Sequence, residues 1–491
     1  MKKGQEYCGI VVETHFPNKG MVKVVMEDGT EDTCAVKNVI EGQKIRFRVT
    51  KKRGGKCEGQ LLEIIERSKA EIDSPCPHFE VCGGCMYQTL PYDEQLKIKD
   101  RQIHEILEPV LKDLNKYRGH SNETDKVQDN ASVVDISSLF EAIKGSPVQM
   151  GYRNKMEFSF GDCCRDGELE LGLHKRGSFY DIVSVKNCQI IDEDYRRILS
   201  ETLSYFRGKE TPYFHKRTHI GYLRHLIVRK AAKTQEIIID LITSSQKPVD
   251  TMCTEVGLIE DWMHTMLDTK LSGKIVGIMH TTNDSLADAV INEKTDVLYG
   301  RDYIMDNVLG LDFKITPFSF FQTNTLSAEV LYDTVREYVN SVNCKDNKVL
   351  YDLYSGTGTI AQIMSTVADK VIGVEIVEEA VEAAKINAEI NGLHNCEFIA
   401  GDVLKVLDDI EDKPDFIILD PPRDGINPKA LTKIIGYGVE NIVYVSCKPT
   451  SLARDLEVFI AKGYVPKRIC PIDQFPGTMH VETVVLMSKV K

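Results

Sequence analysis

The chain has 491 residues, 42% of them hydrophobic and 27% charged, which allows two to four domains and a substantial core. Its net charge of −13 and pI of about 5.5 give no global support to a nucleic-acid partner, so such a contact must rest on local basic patches. No stretch approaches the roughly 18 to 20 apolar residues of a membrane span, and the start MKKGQEYCGIVVE has neither the apolar core nor the cleavage site of a signal peptide. A cytoplasmic protein without membrane attachment is expected, its 14 cysteines mostly reduced, catalytic or metal-bound.

Residues 1–66 alternate apolar and polar positions between turn signals at Pro17–Gly20 and Asp28–Gly29, which predicts a small β-barrel. Lys44, Arg46, Arg48, Lys51, Lys52, Arg53 and Lys56 fall in one stretch without an acid, with Phe47 among them. A charge run is usually a solvated face; on a small barrel it is also a candidate for contacting phosphates.

Residues 67–111 contain SPCPHFEVCGGCMYQTL, in which Cys76, Cys82 and Cys85 are crowded among Pro and Gly. Three close thiols in a reduced compartment read as metal or cluster ligands, with a fourth needed to close the site. Cys188 in SVKNCQII is the best remote candidate; Cys163 and Cys164, in a hairpin turn, are a weaker one. Spacing alone leaves zinc and an iron–sulfur cluster open. A helix follows to about Leu111, with Leu96, Ile103, Ile106 and Leu107 at helical spacing. Residues 112–150, polar and turn-rich at their start, are expected to form a mobile insertion.

Residues 151–316 predict a central α+β domain with an antiparallel sheet. Its basic residues cluster as Arg153, Lys155, Lys175, Arg176, Lys216, Arg217, Arg224, Arg229 and Lys230. His219 and His225 lie among them without a cysteine pattern and read as structural or phosphate-facing.

Residues 317–491 alternate strand and helix, the pattern of a doubly wound parallel sheet, so the chain as a whole is expected to be α/β. NKVLYDLYSGTGTIAQIM is a strand, a glycine turn at Gly356 and Gly358, and a helix start, which suits a close backbone approach to a ligand. KVIGVEIV ends in Glu375, an acid placed for the hydroxyls of a nucleoside ribose. CEFIAGD leads to Asp402, and FIILDPPRDG presents Asp420. NAD and S-adenosylmethionine both remain open, and the single turn GTGT leans toward the latter. NIVYVSCKP presents Cys447 at a strand end, where open α/β sheets bind ligands. For an arbitrary cysteine the bland reading is a small buried apolar residue. Here Ser446, Lys448 and Pro449 place the thiol at a crevice, and Lys448 is expected to favour the thiolate.

Together FSFFQTN at 318–324, DLYSGTGT at 352–359, DPPRDG at 420–425, SCKP at 446–449 and MHVETVVLM at 479–487 resemble the bacterial RNA uridine-C5 methyltransferases. The resemblance is closest to the branch acting on 23S ribosomal RNA, and it covers nearly the whole chain. It implies a Rossmann-like methyltransferase domain, an N-terminal TRAM domain of oligonucleotide-binding type, and a [4Fe–4S] cluster on Cys76, Cys82, Cys85 and Cys188. It implies Cys447 as the thiol that adds to carbon 6 of uracil and Glu482 as the base that removes the carbon 5 proton. Without the resemblance Glu482 reads as an ordinary exposed strand residue. S-adenosylmethionine is implied at Gln322, Tyr354, Thr359, Glu375 and Asp420, with Gly356 and Gly358 shaping the loop and Asp402 near the adenine or the amino-acid tail. Thr359 stands where some relatives carry Asn.

Phe318, Phe320 and Phe321 read first as core, and as a stacking platform for an extruded base if one stands free. The implied partner is RNA, 23S ribosomal RNA before tRNA, bound by a monomer. Amino-methylation of adenine or glutamine is a rival, but Arg423 follows the prolines of DPPR where such enzymes carry an aromatic. Cytosine-C5 methylation uses a cysteine in another motif. An RNA-binding cluster protein without catalysis would leave Cys447, Glu482 and the cofactor positions idle.

Overall fold

The computed structural model describes residues 1–112, 114, 135–246, 255–287, 289–342, 348–408 and 410–490. Strands β1 to β5 (Glu6–His15, Lys19–Val25, Glu31–Lys37, Lys44–Arg53 and Lys56–Glu66) close into a barrel in the order β1-β2-β3-β5-β4. Alternate residues fill it: Val11, Val22, Val36, Ile45, Phe47 and Val49 are buried together.

The barrel's register changes the meaning of its basic run. Lys44 pairs with Glu66 at 2.8 Å, Arg46 with Glu63 at 2.8 Å and Glu6 at 3.1 Å, and Arg48 with Glu6 at 2.7 Å. Lys52 reaches Asp32 at 3.3 Å. The acids missing from the run lie on other strands of the barrel, Glu6, Glu63 and Glu66 on the two that flank β4. A stretch that looks cationic in sequence is therefore largely an ion-paired face.

The central domain carries β6 to β12 (Lys155–Asp162, Leu169–His174, Ile182–Val183, Leu223–Lys230, Glu236–Thr243, Lys274–Thr282 and Lys294–Gly300) in the order β12-β11-β10-β9-β6-β7-β8. The sheet is mixed rather than wholly antiparallel, because β10 and β11 run parallel. The helix Glu255–Asp268 lies in the connection between them, as a parallel pair requires. That helix and Glu193–Gly208 cover one face, burying Phe158, Leu226, Ile239 and Trp262.

A hairpin of β13 and β14 (Ile304–Val308 and Leu311–Ile315) precedes the last domain. Strands β15 to β21 (Val349–Leu353, Lys370–Glu375, Cys396–Ala400, Phe416–Leu419, Asn441–Ser446, Tyr464–Ile472 and Glu482–Lys489) form its sheet in the order β17-β16-β15-β18-β19-β21-β20. From β17 to β19 every pairing is parallel; β21 is antiparallel to both its neighbours. The order reverses between β15 and β18, the switch point where such sheets open a crevice at the carboxyl edge.

Side chains alternate faces along these strands. Leu350, Val371, Ile418 and Val443 meet the helix Thr325–Asn340 and the β13–β14 hairpin. Tyr351, Ile372, Ile417 and Ile442 meet the helix Pro449–Ala461 and also Tyr92–Leu111.

These contacts redraw two of the expected boundaries. The helix Tyr92–Leu111 packs on the C-terminal sheet, and its buried Lys99 pairs with buried Asp473 at 2.6 Å. Hairpin β13–β14 shares the C-terminal core, so that body begins before residue 317. Of the insertion expected over 112–150, residues 113 and 115–134 lie outside the described residues. Its remainder is docked: Glu141 N–H donates to the Ile469 carbonyl at 2.8 Å and Lys144 N–H to that of Pro471 at 2.9 Å, extending the sheet beside β20. Among the described residues, no helix is long and apolar enough to cross a membrane.

Candidate active site

The carboxyl edge of the C-terminal sheet gathers most of the residues singled out in the sequence. Asp402 follows β17, Glu375 closes β16, Tyr354 to Thr359 follow β15, Asp420 follows β18 and Cys447 follows β19. Because β21 runs the other way, its first residue, Glu482, arrives at the same edge.

The glycine turn is built for close approach. Gly356 and Gly358 both have positive φ, 53° and 73°. A Cβ on Gly356 would meet only Phe320, at 4.0 Å, so its outer side is open. One on Gly358 would strike the Phe398 ring at 2.5 Å, so this glycine serves the packing beneath. Glu375 braces the turn: one carboxylate oxygen accepts from Gly356 N–H at 3.0 Å, the other from Ile376 and Val377 N–H at 2.9 and 3.1 Å. Tyr354 takes φ 68°, an uncommon value for a bulky residue, where the chain turns out of β15. Thr359 is buried at the start of the helix Thr359–Met364. Asp402 caps the next turn, accepting from Leu404 N–H at 2.9 Å.

Gln322 lies across the crevice on a segment held by the central domain. Asn154 Nδ2 donates to its carbonyl at 2.9 Å, and Gln474 Nε2 lies 3.5 Å from its Oε1. Buried Arg229 donates to the carbonyls of Pro317 and Ser319. Within FSFF, Phe321 is core, packed against Phe313 with ring centroids 5.8 Å apart, whereas Phe320 is 73% exposed beside the glycine turn.

On the other side of the switch point lie Asp420, Cys447 and Glu482. Burial pushes the Glu482 carboxyl up to about 8, aided by the neighbouring Asp420 and opposed by Arg423. Desolvation alone takes Asp420 to about 7. The Cys447 thiol stands at about 11, raised by desolvation, then by Glu482 and Asp420, and drawn back by Arg423. The thiol is thus protonated at neutral pH, and the expected role of Lys448 does not hold. Lys448 faces Asp424 at 3.7 Å; the cation acting on the thiol is Arg423. Arg423 Nη2 lies 3.0 Å from His480 Nδ1. Burial and then Arg423 lower the His480 ring to about 4, so it is neutral near pH 7.

Sequence reasoning assigned nothing to Arg423 and His480, although both lie inside quoted motifs. It also passed over Asp352, whose buried carboxyl is raised well above the usual range and accepts from Ala361 N–H at 2.9 Å. Exposed Ile376 beyond Glu375 is a further apolar wall.

The four cysteines converge. Cys76, Cys82 and Cys85 line one loop, Cys188 meets them from the central domain, and the charge of each of those three would bear on the Cys188 thiol. Desolvation takes Cys85 to about 11 and Cys188 to about 12. Gly84 N–H points at Cys82 Sγ from 3.4 Å, and Gln88 Nε2 at Cys85 Sγ from 3.6 Å. Half-buried Arg176 lies close enough for both thiols to act on it. No three of these sulfurs gather within 4.8 Å of one another. A single tetrahedral zinc with Zn–S bonds of about 2.3 Å needs a tighter set. Four thiols, two of them with N–H groups aimed at the sulfur, are a donor set of the kind a multi-iron cluster can use. Cys163 and Cys164 stay exposed at a turn, 3.8 Å from each other.

The cysteine loop also touches the crevice. Met86 and Tyr87 N–H groups both donate to the Gly477 carbonyl, at 2.8 and 2.9 Å, and Gln95 Oε1 accepts from Gly477 N–H at 2.7 Å. Lys99 donates to the Phe475 carbonyl at 3.1 Å and Tyr152 to that of Pro476 at 2.9 Å. The link from β20 to Glu482 is therefore fastened along its length. A separate crevice of about 1120 Å³ lies between the barrel and the cysteine loop. Acids and bases both line its walls, and no residue of the sheet edge does.

Comparison with known proteins places these features. The family model described as tRNA (Uracil-5-)-methyltransferase matches residues 229–490. An uncharacterized RNA methyltransferase of Caldanaerobacter subterraneus subsp. tengcongensis is 47% identical over 455 residues, 92% of this chain and 93% of that one. One of Clostridium tetani is 44% identical over 485 residues, 99% and 98% of the two chains. Among solved structures, the Pyrococcus abyssi tRNA (uracil-54, C5)-methyltransferase in complex with S-adenosyl-L-homocysteine superposes with a TM-score of 0.70. It covers 98% of this chain and 100% of its own at 23% identity, a likeness of fold.

Proposed function

This chain belongs to the RNA (uracil-5-)-methyltransferase family, and from that premise we propose that it transfers a methyl group from S-adenosylmethionine to carbon 5 of a uridine in 23S ribosomal RNA. The observation that carries the reading is the meeting of Cys447, Glu482 and Asp420 at the carboxyl edge beside the Gly356 turn.

Carbon 5 of uracil is a weak nucleophile. Cys447 sulfur adds to carbon 6, and the electrons of the 5,6 double bond move to the carbon 4 oxygen as an enolate. The thiol proton passes to the Asp420 carboxylate, which near neutral pH is partly ionised. Arg423 supplies positive charge where the negative charge develops. S-adenosylmethionine, when bound, supplies an electrophilic methyl group. Glu482 then takes the proton from carbon 5, the double bond re-forms, and the sulfur leaves and regains its proton from Asp420. The high resting pKa of Glu482 suits a base that must accept a carbon-bound proton inside a desolvated site.

The cofactor reading rests on the residues that fit it: the open outer side of Gly356, the braced Glu375, and the exposed Phe320 and Ile376 flanking the crevice. Gln322, Tyr354, Gly358, Thr359, Asp402 and Asp420 complete the proposed set. Cys76, Cys82, Cys85 and Cys188 would hold a [4Fe–4S] cluster that ties the loop to the central domain; no step of the reaction passes through it. The barrel is read as a TRAM domain.

The choice of 23S ribosomal RNA leans on the barrel and the four-cysteine pattern, which the resemblance assigns to that branch. The barrel alone does not separate it from tRNA, since a fold covering 98% of this chain occurs in a protein described as a tRNA methyltransferase. A tRNA uridine is accordingly the second reading. Protein prepared without oxygen, incubated with labelled S-adenosylmethionine and either unmodified 23S ribosomal RNA or bulk tRNA, decides between them. Nuclease digestion and mass spectrometry locate 5-methyluridine, with Cys447→Ala as control. Label in neither RNA overturns the proposal.

A further inference from the structure

Several basic residues of the central domain are answered within the protein. Arg229 donates to the Pro317 carbonyl at 3.2 Å, Lys230 pairs with Asp192 and Asp194 at 2.6 and 2.7 Å, and Lys175 faces Asp181 at 4.0 Å. Arg176 differs. Its Nη2 donates to the Cys85 carbonyl at 2.8 Å, but its buried Nε–H has no acceptor among the described residues, and no carboxylate there lies within ion-pair distance. Burial lowers the guanidinium below its ordinary value; Glu80, then Cys82 and Cys85, act against that.

The chain fixes Arg176 against the cysteine loop. Lys175 forms a β-bridge with Cys82, Arg176 N–H donates to the Val81 carbonyl at 2.7 Å, and Gly83 N–H donates to that of His174 at 3.1 Å. The guanidinium carbon lies 5.5 Å from the ring centroid of Phe79 on the same loop. A half-buried cation so held calls for an anion beside it, and a buried N–H for an acceptor.

One occupant answers both. Four thiolates outweigh the positive charge of an iron–sulfur core, so a cluster on Cys76, Cys82, Cys85 and Cys188 is an anion whose sulfurs accept hydrogen bonds. Gly84 N–H and Gln88 Nε2 point at Cys82 and Cys85 Sγ and carry no charge. Arg153 also acts on the Cys85 thiol, but its Nε is taken by the Lys155 carbonyl at 3.1 Å. Arg176 brings a charge and a free N–H together.

We propose that Arg176 is the counter-ion of the group held by the four cysteines, donating its Nε–H to one of that group's sulfurs and setting its reduction potential. This rests on the reading that the cysteines hold a [4Fe–4S] cluster. Reduction adds one electron to the iron core from an external low-potential donor; no bond forms or breaks and no proton moves. The guanidinium stabilises the added negative charge, so it raises the potential. Cys76, Phe79 and Arg176 line the crevice of about 1120 Å³ beside the barrel, which gives a soluble donor its approach.

The test uses the full chain prepared without oxygen. Iron content is measured first, and the potential is then read by EPR during titration with dithionite and mediators. Arg176→Gln lowers the equilibrium constant for reduction about tenfold, which is about 59 mV for a one-electron couple. Arg176→Lys, which keeps the charge, recovers most of that shift. Lys175→Gln removes the same charge from the exposed neighbour and leaves the potential at the parent value. Equal potentials in the parent and Arg176→Gln, an equal shift in Lys175→Gln, or a parent cluster that accepts no electron from dithionite overturns the proposal. Loss of iron from Arg176→Gln but not from Arg176→Lys supports it, because the charge then holds the cluster. Loss from both makes Arg176 a structural tie and overturns it. A parent chain without iron removes the cluster reading itself, whereas an iron-loaded parent whose potential ignores Arg176 removes only the counter-ion.

Discussion

Cys447 and Glu482 stand one step beyond the last rung of an antiparallel ladder, the pair Ser446 and Thr483 that joins β19 to β21. Register, not loop conformation, holds the thiol beside the carboxyl; burial raises the proton affinity of both, and the Glu482 charge raises that of Cys447 further. The two groups that must act in sequence on one ring are thereby presented by rigid strands.

Glu482→Gln is expected to trap the reaction after sulfur addition. The amide cannot take the carbon 5 proton, so turnover falls by about 10² to 10⁴ while a protein–RNA adduct accumulates. The adduct appears as a shifted band on a denaturing gel and is absent in Cys447→Ala. A Glu482→Gln enzyme that turns over at the parent rate contradicts the role.

Single-turnover formation of free 5-methyluridine RNA, which needs both carboxylates, should rise with pH. Asp420 at about 7 and Glu482 at about 8 are neutral below those values and ionised above them, and only the ionised forms accept a proton. The rate therefore climbs from about pH 6 to about pH 9 and then flattens. A profile flat or falling over that range would show that neither carboxylate serves as a base.

The same shift has a consequence for stability. The Glu482 carboxyl titrates at about 8 in the folded chain against an ordinary value of 4.5. Between those values the folded state keeps a proton that the unfolded state releases, so stability falls as pH rises through the interval. Glu482→Gln removes this penalty. Urea denaturation at pH 8 should find the variant more stable by about 1–3 kcal/mol, with the difference vanishing near pH 4. Equal stability at both pH values would mean that the carboxyl is well solvated.

Cys76→Ala is expected to lower the melting temperature by several degrees, a loss of about 2 kcal/mol or more. It frees the loop that holds Gly477, so iron content and hydrogen exchange at residues 473–481 should change together. A variant as stable and as protected as the parent would refute a structural role for the cysteines.

Much of this edge was legible because it is local. The glycine turn, the acid ending β16 and the thiol ending β19 each sit beside the strand that presents them, and apolar runs mark those strands. What lay hidden depended on partners distant in sequence. Lys99 and Asp473 are 374 positions apart, so nothing near the helix Tyr92–Leu111 says which sheet it covers. The barrel's basic run looked unpaired because its acids enter through register with other strands. Lys448 was singled out for being adjacent to the thiol in sequence, whereas the end of β18 brings Arg423 nearer in effect. Glu482 looked solvent-facing because a lone acid in a strand usually is.

The two amide bonds from Met86 and Tyr87 to the Gly477 carbonyl bear on whether the catalytic half can be dissected away. A fragment starting near Pro317 would carry every side chain assigned to the chemistry and still lose the partners of that carbonyl. It would strand Asp473 without Lys99, and bare the sheet face that Ile103 and Leu107 cover. Such a truncation should fail to fold into a competent enzyme.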